Sequence, residues 1–91
     1  MTLSQAVLCI DKDYCKKISI SIKFDDNYRS EVFKFSPDVI NEIFGRISPL
    51  SRVLAFFDHK SSVNIVVAYT AQPYTLRKQT DEGVWEEELY V

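Results

Sequence analysis

Histidine and serine side chains near the middle of the chain are the first candidates for direct chemistry. The one histidine, His59, is preceded by Asp58. Two serines, Ser61 and Ser62, follow within three positions, and these residue types could form a nucleophile–base pair. Immediate neighbours in sequence seldom reach the geometry of a catalytic triad, however. We therefore interpret residues 58–62 as a polar, solvated loop, and we predict no catalytic residue and no enzymatic function.

The two cysteines raise the possibility of a metal site. Cys9 and Cys15 are separated by five residues, whereas structural zinc sites use two closely spaced pairs of ligands. Cys9 also lies in an apolar run, which predicts a small core residue. The two glycines, Gly45 and Gly83, cannot form a glycine-rich phosphate loop. We therefore predict no metal and no cofactor.

The C-terminal part of the chain carries the residue types that dominate interface energies, namely tryptophan, tyrosine and arginine. If the last strand, residues 84–91, lies at a sheet edge, it could pair with a strand of another protein or with a second copy. The predicted interaction surface consists of Tyr74, Arg77, Lys78, Trp85, Glu86, Glu88 and Tyr90. The chain is accordingly interpreted as a small non-catalytic binding domain, an adaptor, regulator or inhibitor that acts through protein–protein interaction.

An accessory protein that binds nucleic acid is the alternative function. Tyr74 could stack on a base, and Arg77 and Lys78 could hold phosphates on the same sheet face. Further cations that could contribute are Lys16, Lys17 and Lys23. The acidic run at residues 86–88 would largely neutralise this face, and the formal net charge of −2 argues against broad, non-specific binding to nucleic acid.

Size and composition predict a single globular domain over all 91 residues. A hydrophobic fraction of 46% is enough for a core, and a charged fraction of 26% is ordinary for a folded chain. The N-terminus lacks the basic and apolar regions of a signal peptide, and no stretch is long enough to span a membrane. With only two cysteines, the expected location is intracellular and reducing, that is, the cytoplasm.

The clearest structural pattern is an alternation of apolar and polar residues at 17–24, which predicts a strand with one face on a core. A second strand at 29–35 would complete a hairpin, because a turn at residues 26–27 brings its phenylalanines onto the isoleucine face. This turn sets Ile20 opposite Phe33.

A helix is predicted after this hairpin. Ser36 is a natural N-cap, and Pro37 suits the first helical position. Apolar residues at helical spacing define one buried stripe that consists of Val39, Ile40, Ile43, Phe44 and Ile47. Residues 49–57 repeat the cap-and-proline signal, and we favour a second short helix there, with a strand as the alternative. Residues 6–10 are predicted to be a strand or a short buried segment.

The remaining segments are predicted to be strands. Residues 63–69 are rich in β-branched side chains and predict a central strand, and residues 70–73 form a turn. The last hairpin would turn through four residues that end at Gly83. An even loop places Tyr74 on the same face as Trp85.

These elements predict an α+β fold in which one or two short helices pack on one face of an antiparallel sheet of about five to six strands. The predicted order is β-β-β-α-(α or β)-β-β-β. If residues 49–57 form a strand, the alternative is a β-grasp-like arrangement.

Overall fold

The computed structural model describes residues 1–69 and 74–90, and the side chains of Lys78 and of residues 88–90 are outside that description. The predicted turn at residues 70–73 lies outside the described residues. In chain order the elements are α1 (Leu3–Leu8), β1 (Lys17–Phe24), β2 (Asn27–Lys34), α2 (Val39–Arg46), β3 (Val53–His59), β4 (Ser62–Ala68), β5 (Tyr74–Gln79) and β6 (Trp85–Tyr90). The fold is therefore α+β and consists mostly of strands. Neither described helix has the length and apolar character needed to cross a bilayer.

Four strands form a mixed sheet in the order β2-β1-β4-β3. Two antiparallel hairpins lie side by side in it, and the central strands β1 and β4 are parallel. Strands β5 and β6 form a separate two-stranded sheet that packs against β2 and α2. The prediction of a single antiparallel sheet of about five to six strands is therefore wrong, because the last hairpin lies over the larger sheet and does not extend it.

The core lies on one face of the four-stranded sheet. Ile18, Ile20 and Ile22 are buried on that face, which confirms the interpretation of the alternating strand. Side chains from β4, from both helices and from β5 join them in one cluster, which includes Val63, Ile65, Val67, Leu3, Ala6, Val7, Val39, Ile43, Tyr74 and Leu76. Both helices thus pack on the same side of the sheet, although the predicted second helix was at residues 49–57 and not at the N-terminus.

The N-terminal apolar run forms helix α1, so the predicted strand at residues 6–10 is wrong. Thr2 is the N-cap and forms a capping box with Gln5, in which each side chain binds the backbone N–H of the other residue. Leu3, Ala6 and Val7 are buried at helical spacing. The cap satisfies N–H groups that would otherwise be exposed at the helix start.

Helix α2 confirms the predicted helix and begins slightly later than expected. Its N-cap is Asp38 and not Ser36, and the Asp38 side chain makes no capping hydrogen bond. Val39, Ile43 and Ile47 are buried, as the apolar stripe predicted.

Strand β3 replaces the second helix that we favoured for residues 49–57, and the alternative of a strand is confirmed. Leu50 is 73% exposed and Leu54 is also exposed, so the helical spacing did not mark a buried stripe. The backbone hydrogen bonds of β3 go to β4, with an irregularity between Val53 and Ala55. The ladder with the following strand, β4, here overrides a weak local preference.

The first hairpin has the predicted even loop but a register displaced by two residues. Its turn is Asp25-Asp26, with Asp25 at φ 52°, and Ile18 lies opposite Phe33. Ile20 lies opposite Glu31. A shift of two residues keeps every side chain on its predicted face. In either register Glu31 shares the face of Phe33, so a glutamate lies on the core face.

The second hairpin has an odd loop, so its predicted four-residue turn is wrong. Thr80 and Val84 close a three-residue loop through a 2.8 Å hydrogen bond from the Thr80 N–H to the Val84 carbonyl. Gly83 occupies the left-handed region at φ 83°, as three-residue hairpin loops commonly require. The resulting register places Trp85 opposite Gln79, on the other face from Tyr74.

Candidate functional site

The predicted interaction surface does not lie on one face of the molecule. Tyr74 is fully buried, and its hydroxyl donates a 3.2 Å hydrogen bond to the Ala68 carbonyl, so it cannot contact a partner. Trp85 and Glu86 are exposed. The backbones of Lys78, Glu88 and Tyr90 lie in β5 and β6, but their side chains are outside the description.

Arg77, the remaining member of that set, belongs to a cluster centred on Glu31. The Glu31 carboxylate is only 4% exposed and accepts hydrogen bonds from both ends of the guanidinium of Arg46. It also accepts the backbone N–H of Arg77 at 2.5 Å and the Nε–H of Arg77 at 2.9 Å. Glu42 lies 3.6 Å from Arg46 and 3.8 Å from Arg77. We call these four residues the Glu31 cluster.

The Glu31 cluster is electrically balanced, with two carboxylates and two guanidinium groups. Burial alone would raise the pKa of Glu31, but the hydrogen bonds from Arg46 and Arg77 outweigh it, and the pKa is held below its usual value. The Arg46 guanidinium also lies over the ring of Phe33 at 5.2 Å. The cluster joins β2, α2 and β5 and leaves Arg77 little free charge for a ligand.

Sequence reasoning did not single out Glu31, although a local signal was present. Glu31 has the same parity as Phe33, the residue that defined the inward face of the second strand. A carboxylate at an inward position needs cationic partners, because an unpaired buried charge is strongly unfavourable. That parity could have predicted an ion-pair cluster, but not which arginines complete it.

No described helix or strand packs on the other face of the four-stranded sheet, although Ser21 and Val66 on that face are buried. We call this surface the open face. The register places on it Tyr28, Ser30, Val32 and Lys34 of β2, Lys17, Ser19, Ser21 and Lys23 of β1, Ser62, Asn64, Val66 and Ala68 of β4, and Ala55, Phe57 and His59 of β3.

A shallow groove of about 430 Å³ crosses the open face. Ser19 and Asn64 lie opposite each other along its floor. Val32 and Phe57 line its two sides and are 62% and 57% exposed. Lys17 contributes to one end of the groove. The groove thus combines apolar walls, a polar floor and a cationic end.

The open face is positively charged. It carries the exposed side chains of Lys17, Lys23 and Lys34, and none of its strand positions is an aspartate or glutamate. Glu31 points to the core face, because it lies opposite Ile20. Among the described residues, then, the net charge of −2 is distributed unevenly, with the excess of acid on other surfaces.

The histidine and its neighbours are part of a hairpin and not of a long loop. Asp58 and His59 are adjacent residues of β3, so their side chains leave opposite faces of the sheet. Ser62 pairs with His59 across the turn. Lys60 in that turn adopts φ 56°. This geometry separates Asp58 from His59, so the carboxylate, imidazole and hydroxyl groups of a catalytic triad are not brought together.

The two cysteines occupy different environments, and the prediction of Cys9 as a core residue is wrong. Cys9 is exposed at the end of α1, whereas Cys15 is buried. Burial raises the pKa of the Cys15 thiol, and Asp58 adds to that effect, while a backbone hydrogen bond at Lys17 acts in the opposite direction. In the described ranges no three His, Cys, Asp or Glu side chains are grouped so as to hold a metal ion.

In comparisons with protein-family models, with curated proteins and with solved structures, nothing matched this chain.

Proposed function

We propose that the chain is a small non-catalytic binding domain, an adaptor, regulator or inhibitor, that acts through protein–protein interaction. Its binding surface is the open face, and its partner is an acidic protein segment with at least one large apolar side chain. The observation that carries this proposal is a sheet face left uncovered by the described chain, with three lysines and no carboxylate.

Charge supports an acidic partner. Lys17 and Lys34 lie opposite each other on neighbouring strands, and Lys23 lies on the same face. Lysines this close raise the local positive potential, which attracts an acidic segment and accelerates its encounter with the face. The attraction is screened beyond a Debye length of about 8 Å at physiological salt. Specific contact must therefore supply the rest of the affinity.

The exposed apolar side chains support a protein partner. Val32 and Phe57 are more than half exposed on either side of the groove. A large apolar side chain that enters the groove would displace water from both of them. Interfaces commonly place a few such anchors at the centre and charged groups at the rim.

We also propose a β-grasp-like interpretation of the first four strands. The order β-β-α-β-β, with sheet order β2-β1-β4-β3 and a parallel central pair, supports it. In such an arrangement the helix covers one face of the sheet and leaves the other free. The fold by itself does not imply a function, and the feature that supports binding is the open face.

Single-stranded nucleic acid is the second candidate, because Tyr28 and Phe57 are exposed aromatics on the cationic face. Strands lie about 4.8 Å apart, so rings on the two outer strands of this sheet are separated by roughly 14 Å or more. Successive bases stack on aromatic groups that lie close together. Tyr74 is buried and Arg77 is paired with Glu31, which removes two of the residues that the sequence offered for this role.

A capture experiment with matched variants tests the proposed function. Three proteins are immobilised and exposed to extract from the native source, with and without nuclease. They are the wild-type chain, Lys17→Glu/Phe57→Ser and Lys12→Glu. Lys12 is exposed and lies near α2, away from the open face, so it controls for a change of charge alone. We expect proteins retained by the wild type and by Lys12→Glu to be lost from the double variant, with no effect of nuclease.

Two outcomes would contradict the proposal. If Lys17→Glu/Phe57→Ser retains as much protein from the extract as the wild type does, the open face is excluded as the binding surface. Retention that disappears after nuclease treatment would favour the nucleic-acid candidate. Circular dichroism and thermal unfolding of each variant establish that the fold is intact before capture is compared.

A further inference from the structure

The β5–β6 hairpin has an exposed outer surface with the opposite character to the open face. Trp85 is 60% exposed on the outer side of this hairpin, and Val84 before it is also exposed. Glu87 shares the outer side with Trp85 and is exposed. Asp81 and Glu82 are exposed in the hairpin turn. We call these five residues the acidic hairpin surface.

The acidic hairpin surface is held in place by the Glu31 cluster. The Arg77 guanidinium binds Glu31 and lies over the Trp85 ring at 5.8 Å. A positioned indole loses less conformational entropy on binding than a mobile one does, which favours its use as an anchor. Arg77 therefore links the buried cluster to the exposed tryptophan.

The two surfaces lie on opposite sides of the four-stranded sheet. Tyr74 and Leu76 of β5 pack into the core on the face where Ile20 is buried, whereas the open face carries Ser19 and Lys17. The acidic hairpin surface therefore cannot reach the open face of its own molecule without unfolding of the hairpin. It can reach the open face of a second copy.

We propose that the chain self-associates head to tail, with the acidic hairpin surface of one copy bound to the open face of the next. Trp85 enters the groove between Val32 and Phe57, and Glu87 faces Lys17. This inference rests on the proposed function of the open face and names a second copy of the chain as its ligand. Because this contact joins two different surfaces, a dimer still has one free open face and one free acidic hairpin surface. Further copies can therefore add until a ring closes.

Size and charge support this occupant. The groove has a volume of about 430 Å³, within the range of roughly 300–1,000 Å³ that is typical of small-ligand pockets. This volume is ample for one indole ring. A buried tryptophan side chain removes roughly 150–250 Å² from water. The acidic and basic groups that surround the two surfaces complement one another and would fix the orientation of the contact.

Analytical ultracentrifugation tests the proposal directly. Between roughly 10 µM and 1 mM, where small interfaces dissociate, the weight-average mass should rise with concentration. Raising the ionic strength from about 0.1 M to about 1 M shortens the Debye length from about 10 Å to about 3 Å and should shift the chain back towards monomer. A mass that stays at one chain over the whole range at low salt overturns the proposal.

Complementary variants identify the two surfaces. Lys17→Glu/Phe57→Ser disrupts binding by the open face and leaves the acidic hairpin surface intact. Trp85→Ser/Glu87→Lys disrupts the acidic hairpin surface and leaves the open face intact. Each variant alone should be monomeric, with association at least about tenfold weaker than in the wild type. Mixed together, they should form a 1:1 complex that does not grow further, because each contributes one intact surface. If the mixture forms no complex and either variant associates on its own, the open face and the acidic hairpin surface are not the two surfaces in contact.

Matched controls keep the outcome interpretable. Asp13→Lys makes the same charge change as Glu87→Lys at an exposed site remote from the hairpin, and it should associate like the wild type. If Trp85→Ser unfolds the hairpin, Glu87→Lys alone takes its place. The wild type could prove monomeric while Lys17→Glu/Phe57→Ser still fails to capture the proteins that the wild type retains. That result would refute self-association and leave the proposed function standing. If the variants associate normally and capture is also unchanged, both are refuted.

Discussion

Glu31 and Arg77 are 46 positions apart in the chain, yet the carboxylate of Glu31 accepts both the backbone N–H and the side-chain Nε–H of Arg77. The first bond attaches the backbone of β5 to β2, and the second orients the guanidinium that lies under Trp85. Arg46 completes the charge balance from α2. One buried carboxylate thus positions the hairpin that carries the acidic hairpin surface.

Replacing Glu31 by glutamine should be strongly destabilising. The substitution leaves two arginines without their shared counter-ion, and breaking a buried ion pair typically costs several kcal/mol. Because Arg77 is 42% exposed and can regain hydration, we expect a loss of about 2–4 kcal/mol in the free energy of unfolding. Urea denaturation measures it. Glu42→Gln is the control, with a loss below about 1 kcal/mol, because Glu42 is half exposed. Equal effects of the two substitutions would contradict a central role for Glu31.

The same carboxylate predicts a pH dependence of stability. The pKa of Glu31 is lower in the folded chain than in the unfolded chain, so the unfolded state binds the proton more readily. The stabilisation is complete above the unfolded pKa of about 4.3 and is lost as pH falls through the lower folded pKa. The free energy of unfolding of the wild type, measured from neutral to acid pH, should therefore fall more below about pH 4 than that of Glu31→Gln. Parallel curves for the two proteins would show that Glu31 does not carry this dependence.

Replacing Arg77 by lysine should loosen the hairpin without unfolding the whole chain. A lysine keeps the charge but lacks the planar fork that binds Glu31 and stacks on the indole. We expect faster amide exchange in β5 and β6, and a changed emission of Trp85, which is the one tryptophan of the chain. Arg29→Lys, at an exposed position of β2, should leave both signals unchanged. Unchanged exchange in Arg77→Lys would mean that the backbone bond to Glu31 suffices.

The two glycines should respond to alanine in opposite directions. Gly83 has φ 83°, a conformation that costs an L-residue roughly 1–2 kcal/mol, so Gly83→Ala should destabilise the chain. Gly45 lies within α2, and a Cβ atom there would meet no atom within 4 Å. Gly45→Ala should therefore stabilise the chain by about 0.5–1 kcal/mol. Thermal unfolding compares them, and a stabilising Gly83→Ala would contradict the three-residue loop.

The sequence predicted much of the fold wherever the pattern was local and strong. Alternation at residues 17–24 correctly identified β1 and its buried face, and the apolar stripe of α2 was correct as well. The segment that became β3 shows where local patterns fail. Its apolar residues fit both periods, and only pairing with β4 decided between them.

The candidate site was less predictable than the fold. The sequence predicted an interface role for Trp85, which is exposed, but it grouped Trp85 with Tyr74, which is buried. A loop one residue shorter than assumed reversed the face of Trp85 relative to Tyr74. The alternation at residues 17–24 also implies that the serine and lysine side chains of β1 point away from the core. That they would join Phe57 of a distant strand depended on the order of the strands.

By itself the sequence determined the α+β class, the buried face of β1 and the helix after the first hairpin. These features follow from spacing and composition within one or two turns or strands. The tertiary structure decided the parallel pairing of β1 with β4, the separate β5–β6 hairpin, the Glu31 cluster and the open face. Each of these depends on contacts between residues far apart in the chain, which short-range periodicity does not encode.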